Sequence, residues 1–393
     1  MAEYVFQAKK LITGKPGDAL KQDQFVAVNQ GVILAVGEGE GDRYINEATK
    51  VIQLEANDTV VPGFIDLHIH GTHGVDVMDA SDKALETMAI HLPEEGTTSF
   101  LATTITQSPD AISDAIQAIA DFSAKKKGAA LTGVHVEGPF INEKRKGAQP
   151  AAFIGDPSIK QMQNWIDLSK GRIKQVTYAP ERNEGIAFTA FLSERGITAS
   201  IGHSDANYEQ VNSAIQAGAN QVTHLFNGMS PLHHREPGVA GAALLFDQLD
   251  VELIVDGIHI HPEIVRFAWK AKGTDRCLLI TDSMRAKGLD EGEYDLGGQQ
   301  VKVAAGKATL LESGSLAGSV LKMNDAVSNM IRFTGCSLAE AVQMATYNPA
   351  KKIGILEQTG TIEQGKHADL TVLRNEKEVI LTYCKGEEVF RKD

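Results

Sequence analysis

The chain has 393 residues, of which 42% are hydrophobic and 23% are charged, and its formal net charge is -13. This composition is typical of a globular protein with a large core, and the negative charge argues against nucleic acid or an acidic membrane surface as a partner. No apolar run reaches the length of about 18 residues that a membrane span needs, and the N-terminus lacks a signal-peptide core. Three scattered cysteines without a CxxC pair indicate a reducing compartment. We therefore expect a cytoplasmic protein.

Both ends of the chain predict short strands. Residues 1–58 contain alternating apolar segments separated by glycine, aspartate and asparagine, with no helical period. Residues 350–393 show the same pattern. Because chain termini commonly lie close in space, we expect these two segments to form one small, discontinuous, sandwich-like β domain.

Apolar runs alternate with helical stretches between residues 59 and 349. Eight such runs follow one another, from the run that begins at Val60 to Cys277–Thr281. The alternation predicts parallel βαβ units, and eight of them favour an α/β fold of the (β/α)8 type, a TIM-like barrel with its site at the C-terminal strand ends. An open doubly wound sheet is the competing fold, but no GxGxxG follows the first strand. Residues 293–312 predict a β-hairpin insertion after strand eight.

The first apolar run ends in two histidines separated by one residue, His68 and His70. Side chains at positions i and i+2 of a strand point the same way, so both imidazoles can reach one metal ion. Taken alone, the pair is equally consistent with two core histidines on a buried strand. The later strands decide between these interpretations.

Four later strands end in a residue that could join the pair. Glu137, His203, His224 and Asp282 follow the apolar runs of strands three, five, six and eight. Each one could be a satisfied core residue or a helix cap, but their repetition at strand ends favours one shared metal site. A metal in such a site lowers the pKa of water from about 15.7 to about 7. Asp282 is the candidate proton acceptor, and its alternative role is that of a metal ligand.

Eight motifs along the chain carry a family resemblance. Together, HIH, HVEGPF, IGHS, THLFNGM, REPG, VDGIH, LITDS and LAGS resemble the N-acetylglucosamine-6-phosphate deacetylase family of the amidohydrolase superfamily. The similarity covers nearly the whole chain. It implies a metal-dependent hydrolase that cleaves a linear amide C–N bond and releases acetate and glucosamine 6-phosphate from N-acetylglucosamine 6-phosphate, in amino sugar catabolism.

The resemblance also implies residue roles. Asp282 matches the catalytic acid/base. The implied metal ligands are Glu137, His203 and His224 for the principal ion, with His68 and His70 for a second ion. The implied substrate-binding residues are Ala148, Gln149, Asn227, Gly228, Arg235, His259 and the backbone of Leu316, Ala317 and Gly318. Some family members carry histidine where Gln149 stands.

The metal and the partners follow from the same resemblance. We expect one or two zinc ions, and histidine and carboxylate ligands also suit iron, cobalt or manganese. A sugar phosphate requires cationic donors, and arginine binds phosphate well. Without the resemblance, Arg235 would be expected to pair with Glu236 in a solvated loop. In the family this arginine can come from a neighbouring subunit, so we expect a homodimer.

Two other functions compete at this point. A cyclic amidase of the dihydroorotase or hydantoinase type commonly carries a carboxylated lysine on strand four, but Lys174, the lysine of that strand here, lies at its start. A non-catalytic scaffold would keep the barrel and lose the chemistry, which the intact set of ligands argues against. Of the remaining histidines, we expect His135 to pack behind the site and His261 to be structural or exposed.

Overall fold

The structure, a computed structural model, describes residues 1–392. Its centre is an eight-stranded parallel sheet that curls into a nearly closed barrel. The barrel strands, numbered here 1 to 8 along the chain, are Phe64–Ile69, Thr97–Thr104, Ala130–Glu137, Ile173–Tyr178, Thr198–Ile201, Gln221–Val222, Asp250–Ile254 and Cys277–Ile280. The predicted TIM-like barrel is confirmed.

Strands 1 and 8 meet at their C-terminal ends. The backbone N–H of Asp282 donates to the carbonyl of His68 at 2.8 Å, and the N–H of His70 donates to the carbonyl of Ser283 at 2.9 Å. These hydrogen bonds bring the predicted acid beside the histidine pair. Closure of the barrel therefore forms part of the candidate site.

Helices cover the outside of the barrel. The α-helices are Asp82–His91, Pro109–Asp121, Ile159–Leu168, Gly185–Glu194, Tyr208–Gln216, Gly238–Leu245, Pro262–Lys272, Met323–Thr334, Leu338–Ala345 and Tyr347–Lys352. Local sequence sets several of their starts, because Ser108 and Asn207 accept backbone N–H groups of the first turn as N-caps. Trp165 and Phe188, both fully buried, belong to the core that these helices share with the strands.

A second sheet takes its strands from both ends of the chain. These strands are Tyr4–Leu11, Lys21–Asn29, Val32–Glu38, Lys50–Gln53, Asp58–Pro62, Leu370–Arg374, Glu378–Cys384 and Glu387–Arg391. The two ends join where Leu370–Arg374 pairs antiparallel with Asp58–Pro62. This sheet has its own apolar core around Phe6 and Tyr383. The chain ends thus form the predicted second β unit.

Gly63 divides the long apolar run between the two sheets. The sequence predicts a first barrel strand from Val60, but Asp58–Pro62 belongs to the end sheet and the barrel strand begins at Phe64. A Cβ at position 63 would lie 2.1 Å from Thr98 Oγ1. Only glycine therefore allows the chain to pass from one sheet to the other here.

The insertion after strand 8 contains three strands where the sequence predicts two. Gly292–Leu296, Gln299–Ala304 and Lys307–Leu310 form an antiparallel sheet. Its apolar face packs on Ile105 and Met284, which ties it to the barrel mouth. Within residues 1–392, no helix combines the length and the apolar character needed to cross a membrane.

Candidate metal centre

Three side chains of the ligand type meet at the C-terminal mouth of the barrel. Glu137 Oε1 lies 3.1 Å from His224 Nε2 and 3.2 Å from His203 Nε2, and the two nitrogens are 3.1 Å apart. Ligand atoms that bind one zinc ion tetrahedrally at about 2.0–2.1 Å are separated by about 3.3 Å. The triangle therefore has nearly the dimensions of one face of a tetrahedral site.

A second group lies beside this triangle. The Nε2 atoms of His68 and His70 lie 3.4 Å and 3.3 Å from Asp282 Oδ1. The same nitrogens lie 3.4 Å from Glu137 Oε1 and 3.3 Å from Glu137 Oε2, respectively. The Glu137 carboxylate thus lies between the two groups, where it can contact ions held by either.

All four histidines of these groups present Nε2 to the centre. Their Nδ1 partners are Arg145 O for His203, Asn227 O for His224, Thr103 O for His70 and the Glu252 carboxylate for His68, at 2.8 to 3.2 Å. Because these oxygens can only accept, each Nδ1 donates its N–H. Each Nε2 lone pair is then available to a metal.

One nitrogen atom of the centre is buried without a hydrogen-bond partner in the described part of the chain. His68 Nε2 is buried and has no hydrogen-bond partner among residues 1–392. A buried polar atom without a partner costs free energy, and a cation would remove that cost. Imidazole nitrogen and carboxylate oxygen are ligands that zinc and other divalent transition metals accept. The residues present therefore fit a divalent metal ion.

The charges of the centre influence one another strongly. Burial lowers the pKa of His68, but the carboxylates of Asp282 and Glu137 outweigh burial and raise it to about 9. Burial raises the pKa of Asp282, yet the charges of His68 and His70 bring it below its ordinary value. Protons and a cation therefore compete for the same nitrogens, since metal ligands must be deprotonated.

The backbone at three strand ends has an unusual conformation. His203, His224 and Asp282 have φ values of 46°, 31° and 49°. Non-glycine residues rarely adopt the left-handed region, which costs about 1–3 kcal/mol per residue and is found preferentially at functional sites. Gly228 leaves space for one of these residues, because a Cβ there would lie 2.8 Å from His203 Nδ1.

A cavity of about 340 Å³ opens onto five of the six ligand-type side chains, all except the fully buried His68. Its volume lies within the range of about 300–1,000 Å³ typical of small-molecule sites. The predicted substrate residues that line it are Ala148, Gln149, Asn227, Gly228, His259, Leu316 and Gly318. The structure thus brings most of the predicted site together at one cavity.

Two predicted substrate residues do not line the cavity of their own chain. Within the described chain, Arg235 lies exposed on a loop and is not among the residues that line the cavity, and its guanidinium contacts His234 Nε2 at 2.7 Å, not Glu236. Ala317 is fully buried in the apolar cluster under the insertion, and its N–H donates to Ala308 O at 3.1 Å. Ala317 therefore offers neither its methyl group nor its N–H to the cavity, which it does not line.

Gln149 has contacts that its sequence context does not indicate. Its Oε1 accepts the backbone N–H of Thr106 at 2.8 Å, and its Nε2 donates to Glu137 Oε2 at 2.6 Å. Both ends of the amide are therefore engaged by the protein. The side chain holds the outer oxygen of the Glu137 carboxylate.

Sequence reasoning misses two carboxylates of strand 7 and its loop. Asp256 Oδ2 accepts from His259 Nδ1 at 2.6 Å and orients that imidazole at the cavity. Glu252 lies beneath the centre and accepts from His68 Nδ1. A glutamate inside the otherwise apolar run VELIV is the signal that could have revealed Glu252.

The other histidines discussed from sequence lie outside the ligand groups. His135 is fully buried behind the centre, where its Nε2 contacts Thr177 Oγ1 at 2.7 Å. Burial together with the nearby His68 lowers the pKa of His135 well below its ordinary value, so its imidazole is neutral. His261 caps the helix Pro262–Lys272 by accepting the N–H of Glu263.

Comparison with known proteins leads to one family. The protein-family model with the description "Amidohydrolase family" matches residues 59–389 of the chain. The chain is 49% identical over 331 residues to an N-acetylglucosamine-6-phosphate deacetylase of Lysinibacillus sphaericus, covering 83% of this chain and 84% of that one. It is 45% identical over 370 residues to an N-acetylglucosamine-6-phosphate deacetylase of Bacillus subtilis (strain 168), covering 93% and 92%.

A solved structure agrees over the full length. It is that of an N-acetyl-D-glucosamine-6-phosphate deacetylase mutant from Mycobacterium smegmatis in complex with N-acetyl-D-glucosamine-6-phosphate. The match has a TM-score of 0.90 at 31% sequence identity and covers 99% of this chain and 100% of that chain. The barrel and the relatives agree, and the chain belongs to the amidohydrolase family.

Proposed function

We propose that this chain hydrolyses the acetamide of N-acetylglucosamine 6-phosphate to acetate and glucosamine 6-phosphate, a step of amino sugar catabolism. The observation that carries the proposal is the convergence of four Nε2 atoms on the carboxylates of Glu137 and Asp282 at the mouth of a small-molecule cavity. Relatives at 45% and 49% identity bear the name of this activity. A cyclic amidase with a carboxylated lysine is not favoured, because Lys174 lies at the start of strand 4.

The proposed metal ligands divide into two sets. Glu137, His203 and His224 would hold the principal ion, and His68 and His70 would hold a second. We propose zinc, because separations of 3.1–3.2 Å among the first three suit tetrahedral coordination. A bound divalent ion polarises the amide carbonyl and lowers the pKa of water from about 15.7 to about 7.

Asp282 would move the proton in this reaction. Its carboxylate reaches the cavity and is ionised at neutral pH, because the nearby histidines outweigh burial and keep its pKa low. It can therefore accept a proton from the water that attacks the acetamide carbonyl carbon. The same carboxyl group can then return the proton to the sugar nitrogen as the C–N bond breaks, so that acetate and the amine leave.

The remaining cavity residues would bind and orient the sugar phosphate. Asn227 and the backbone near Leu316 and Gly318 offer polar groups at the cavity wall. His259, oriented by its hydrogen bond to Asp256, is the proposed phosphate contact within the same chain.

Arg235 would complete the phosphate site from the neighbouring subunit of a homodimer. Its guanidinium is exposed and forms no ion pair with a carboxylate in the described chain, so it can bind a phosphate across an interface. Arg235→Ala should raise KM for the phosphorylated sugar about tenfold to a hundredfold, equivalent to about 1.5–3 kcal/mol, with little change in kcat. An unchanged KM would exclude this contact, and a monomer by light scattering would exclude the partner subunit as its source.

The same proposal includes domain organisation and location. Residues 1–58 and 350–393, of which Asp393 lies outside the described residues, would form the β domain and residues 59–349 the catalytic barrel. The strand Asp58–Pro62 and the helix Tyr347–Lys352 cross the two boundaries. The cysteines of the described chain are buried free thiols, which suits a cytoplasmic protein.

The test of the function joins elemental analysis to a product assay. The purified protein should contain one or two equivalents of divalent metal and should release acetate from N-acetylglucosamine 6-phosphate. Removal of the metal with a chelator should stop acetate release, and zinc should restore it. Hydrolysis of dihydropyrimidines with no acetate release would favour the cyclic amidase. A protein inert with added metal would favour the scaffold.

A further inference from the structure

A fully buried carboxylate lies beneath the metal centre, inside the barrel. Glu252 is the middle residue of strand 7 and has no exposed surface. Within residues 1–392 no lysine or arginine forms an ion pair with it, although burial of an unpaired carboxylate is costly. Glu252 does not line the cavity, so it does not contact a molecule bound there. Its role must therefore operate through the residues that it touches.

Four N–H groups from three other barrel strands and their ends converge on this carboxylate. Its Oε1 accepts from the side-chain amides of Gln175 at 2.6 Å and Gln221 at 2.7 Å. Its Oε2 accepts from His68 Nδ1 at 3.1 Å and from the backbone N–H of His224 at 3.2 Å. Both oxygens are thus saturated by donors, which offsets the cost of burial.

His68 differs from the other three histidines of the centre in its Nδ1 partner. The others donate to backbone carbonyls, whereas His68 donates to a carboxylate. Carboxylate partners of this kind fix the orientation of a ligand histidine and raise its basicity. The ring is also held edge-on by His135, with ring centroids 4.5 Å apart. Its Nε2 is one of the buried side-chain atoms that have no hydrogen-bond partner in the described chain.

We propose that Glu252 is a positioning residue that holds His68 Nε2 in the centre and thereby sets the affinity for the ion bound by His68 and His70. The inference rests on the metal ligands of the proposed function. The principal ion should depend on it much less, because Gln149 and the carbonyl of Arg145 position Glu137 and His203 independently. Of the principal ligands, His224 contacts Glu252 through its backbone N–H only.

Glu252→Gln tests the proposal, because it preserves size while replacing an acceptor oxygen with an NH2 group. Metal-free protein is titrated with zinc in competition with a chromophoric chelator, which gives an affinity for each ion. The affinity for the second ion should fall about tenfold to a hundredfold, the range found for partners of ligand histidines, and that for the principal ion about threefold at most. Glu95→Gln, at a buried carboxylate that pairs with Lys287 and contacts no ligand side chain within residues 1–392, is the matched control and should alter neither affinity.

A double-mutant cycle separates positioning from a general loss of structure. His68→Ala should weaken the second ion, and adding Glu252→Gln to it should produce no further loss, because both changes remove one interaction. Glu252→Asp keeps the charge but withdraws the carboxylate from His68, so it should show the same selective loss if Glu252→Gln does not fold.

Four results would overturn the proposal. These are equal weakening of both ions, no change in either, additive effects of the His68 and Glu252 variants, and a wild-type protein that binds a single equivalent. The titration uses no substrate, so it is independent of acetate release. A protein that shows the selective loss but releases no acetate would refute the proposed function and leave this inference intact.

Discussion

Two buried clusters of charged groups lie close together in the barrel, and they differ in how completely they are satisfied. In the first, Lys287 Nζ contacts Glu95 Oε1 at 2.8 Å, with side chains only 2% and 5% exposed. Asp66 lies nearby and accepts from Thr281 Oγ1 at 2.5 Å and from the N–H of His68 at 3.2 Å. Each charge in this closed cluster has a partner.

The metal centre is equally buried but remains open. Two imidazole nitrogens, those of His203 and His224, face each other at 3.1 Å, and His68 Nε2 has no partner within residues 1–392. Burial and charge therefore do not distinguish a structural cluster from a functional one. Lone pairs that point to a common centre without a donor do distinguish them, because native proteins rarely leave buried polar atoms unpaired. The predictions below test this difference.

The largest effect is expected in the open cluster. Asp282→Asn removes the proton acceptor and should lower kcat about 10²- to 10⁴-fold, the range of general acid–base catalysis. Because Glu137, His203 and His224 are unchanged, the principal ion and the unfolding midpoint should be retained. Acetate release, elemental analysis and thermal unfolding measure these quantities. Near-normal turnover would refute the proton-transfer role of Asp282.

The closed cluster should respond in the opposite way. Lys287→Met leaves the Glu95 carboxylate buried without its cation, so the free energy of unfolding should fall by about 3–5 kcal/mol. The kcat of the folded fraction should stay within about twofold, since neither residue lines the cavity. Urea unfolding and acetate release at low temperature measure the two effects. Combining Lys287→Met with Glu95→Gln should recover part of the lost stability.

A loss of kcat in Lys287→Met as large as that in Asp282→Asn would contradict the division into structural and functional clusters. The same division would be contradicted if Lys287→Met lowered the free energy of unfolding by no more than the loss of an exposed ion pair does.

A smaller effect is expected where the protein supports the open cluster. Gln149→Ala frees Glu137 Oε2, and the affinity for the principal ion should fall about tenfold to a hundredfold. Gln107→Ala, at a glutamine that donates to Gly297 O outside the ligand groups, is the control and should leave metal binding unchanged. If Gln149→Ala raised KM while the metal stayed bound, Gln149 would act on the substrate as the family resemblance implies.

The smallest effect belongs to the end of the chain, where ion pairs are partly exposed. Although burial opposes it, hydrogen bonds from Lys15, Thr361 and Lys366 lower the pKa of Glu363 to about 2. Because the folded pKa lies below the unfolded value of about 4.3, the stabilisation is complete above the unfolded pKa and is lost as pH falls toward 2. The stability difference between wild type and Glu363→Gln should therefore shrink as the pH is lowered from 7 toward about 3.

Urea unfolding at several pH values measures this difference. A difference that stays constant, or that grows on acidification, would contradict the lowered pKa.

The sequence by itself predicts the barrel and the location of most of the centre. Alternating strands and helices imply parallel strands, and parallel strands place their C-terminal ends at one mouth. Glu137, His203, His224 and Asp282 can therefore be expected to converge without knowledge of any contact. The pairing of the chain ends is predicted separately, because both ends show strand patterns and chain termini commonly lie close in space.

Only the tertiary structure decides which buried groups are satisfied and by what. The Glu252 contact with His68, the Gln149 contact with Glu137 and the outward position of Arg235 depend on strand register and side-chain direction across distant segments. Periodicity along the chain specifies which face a residue occupies, but not which atom lies opposite. The distinction between the open and the closed cluster is made by those opposing atoms, and so it appears only when the barrel closes.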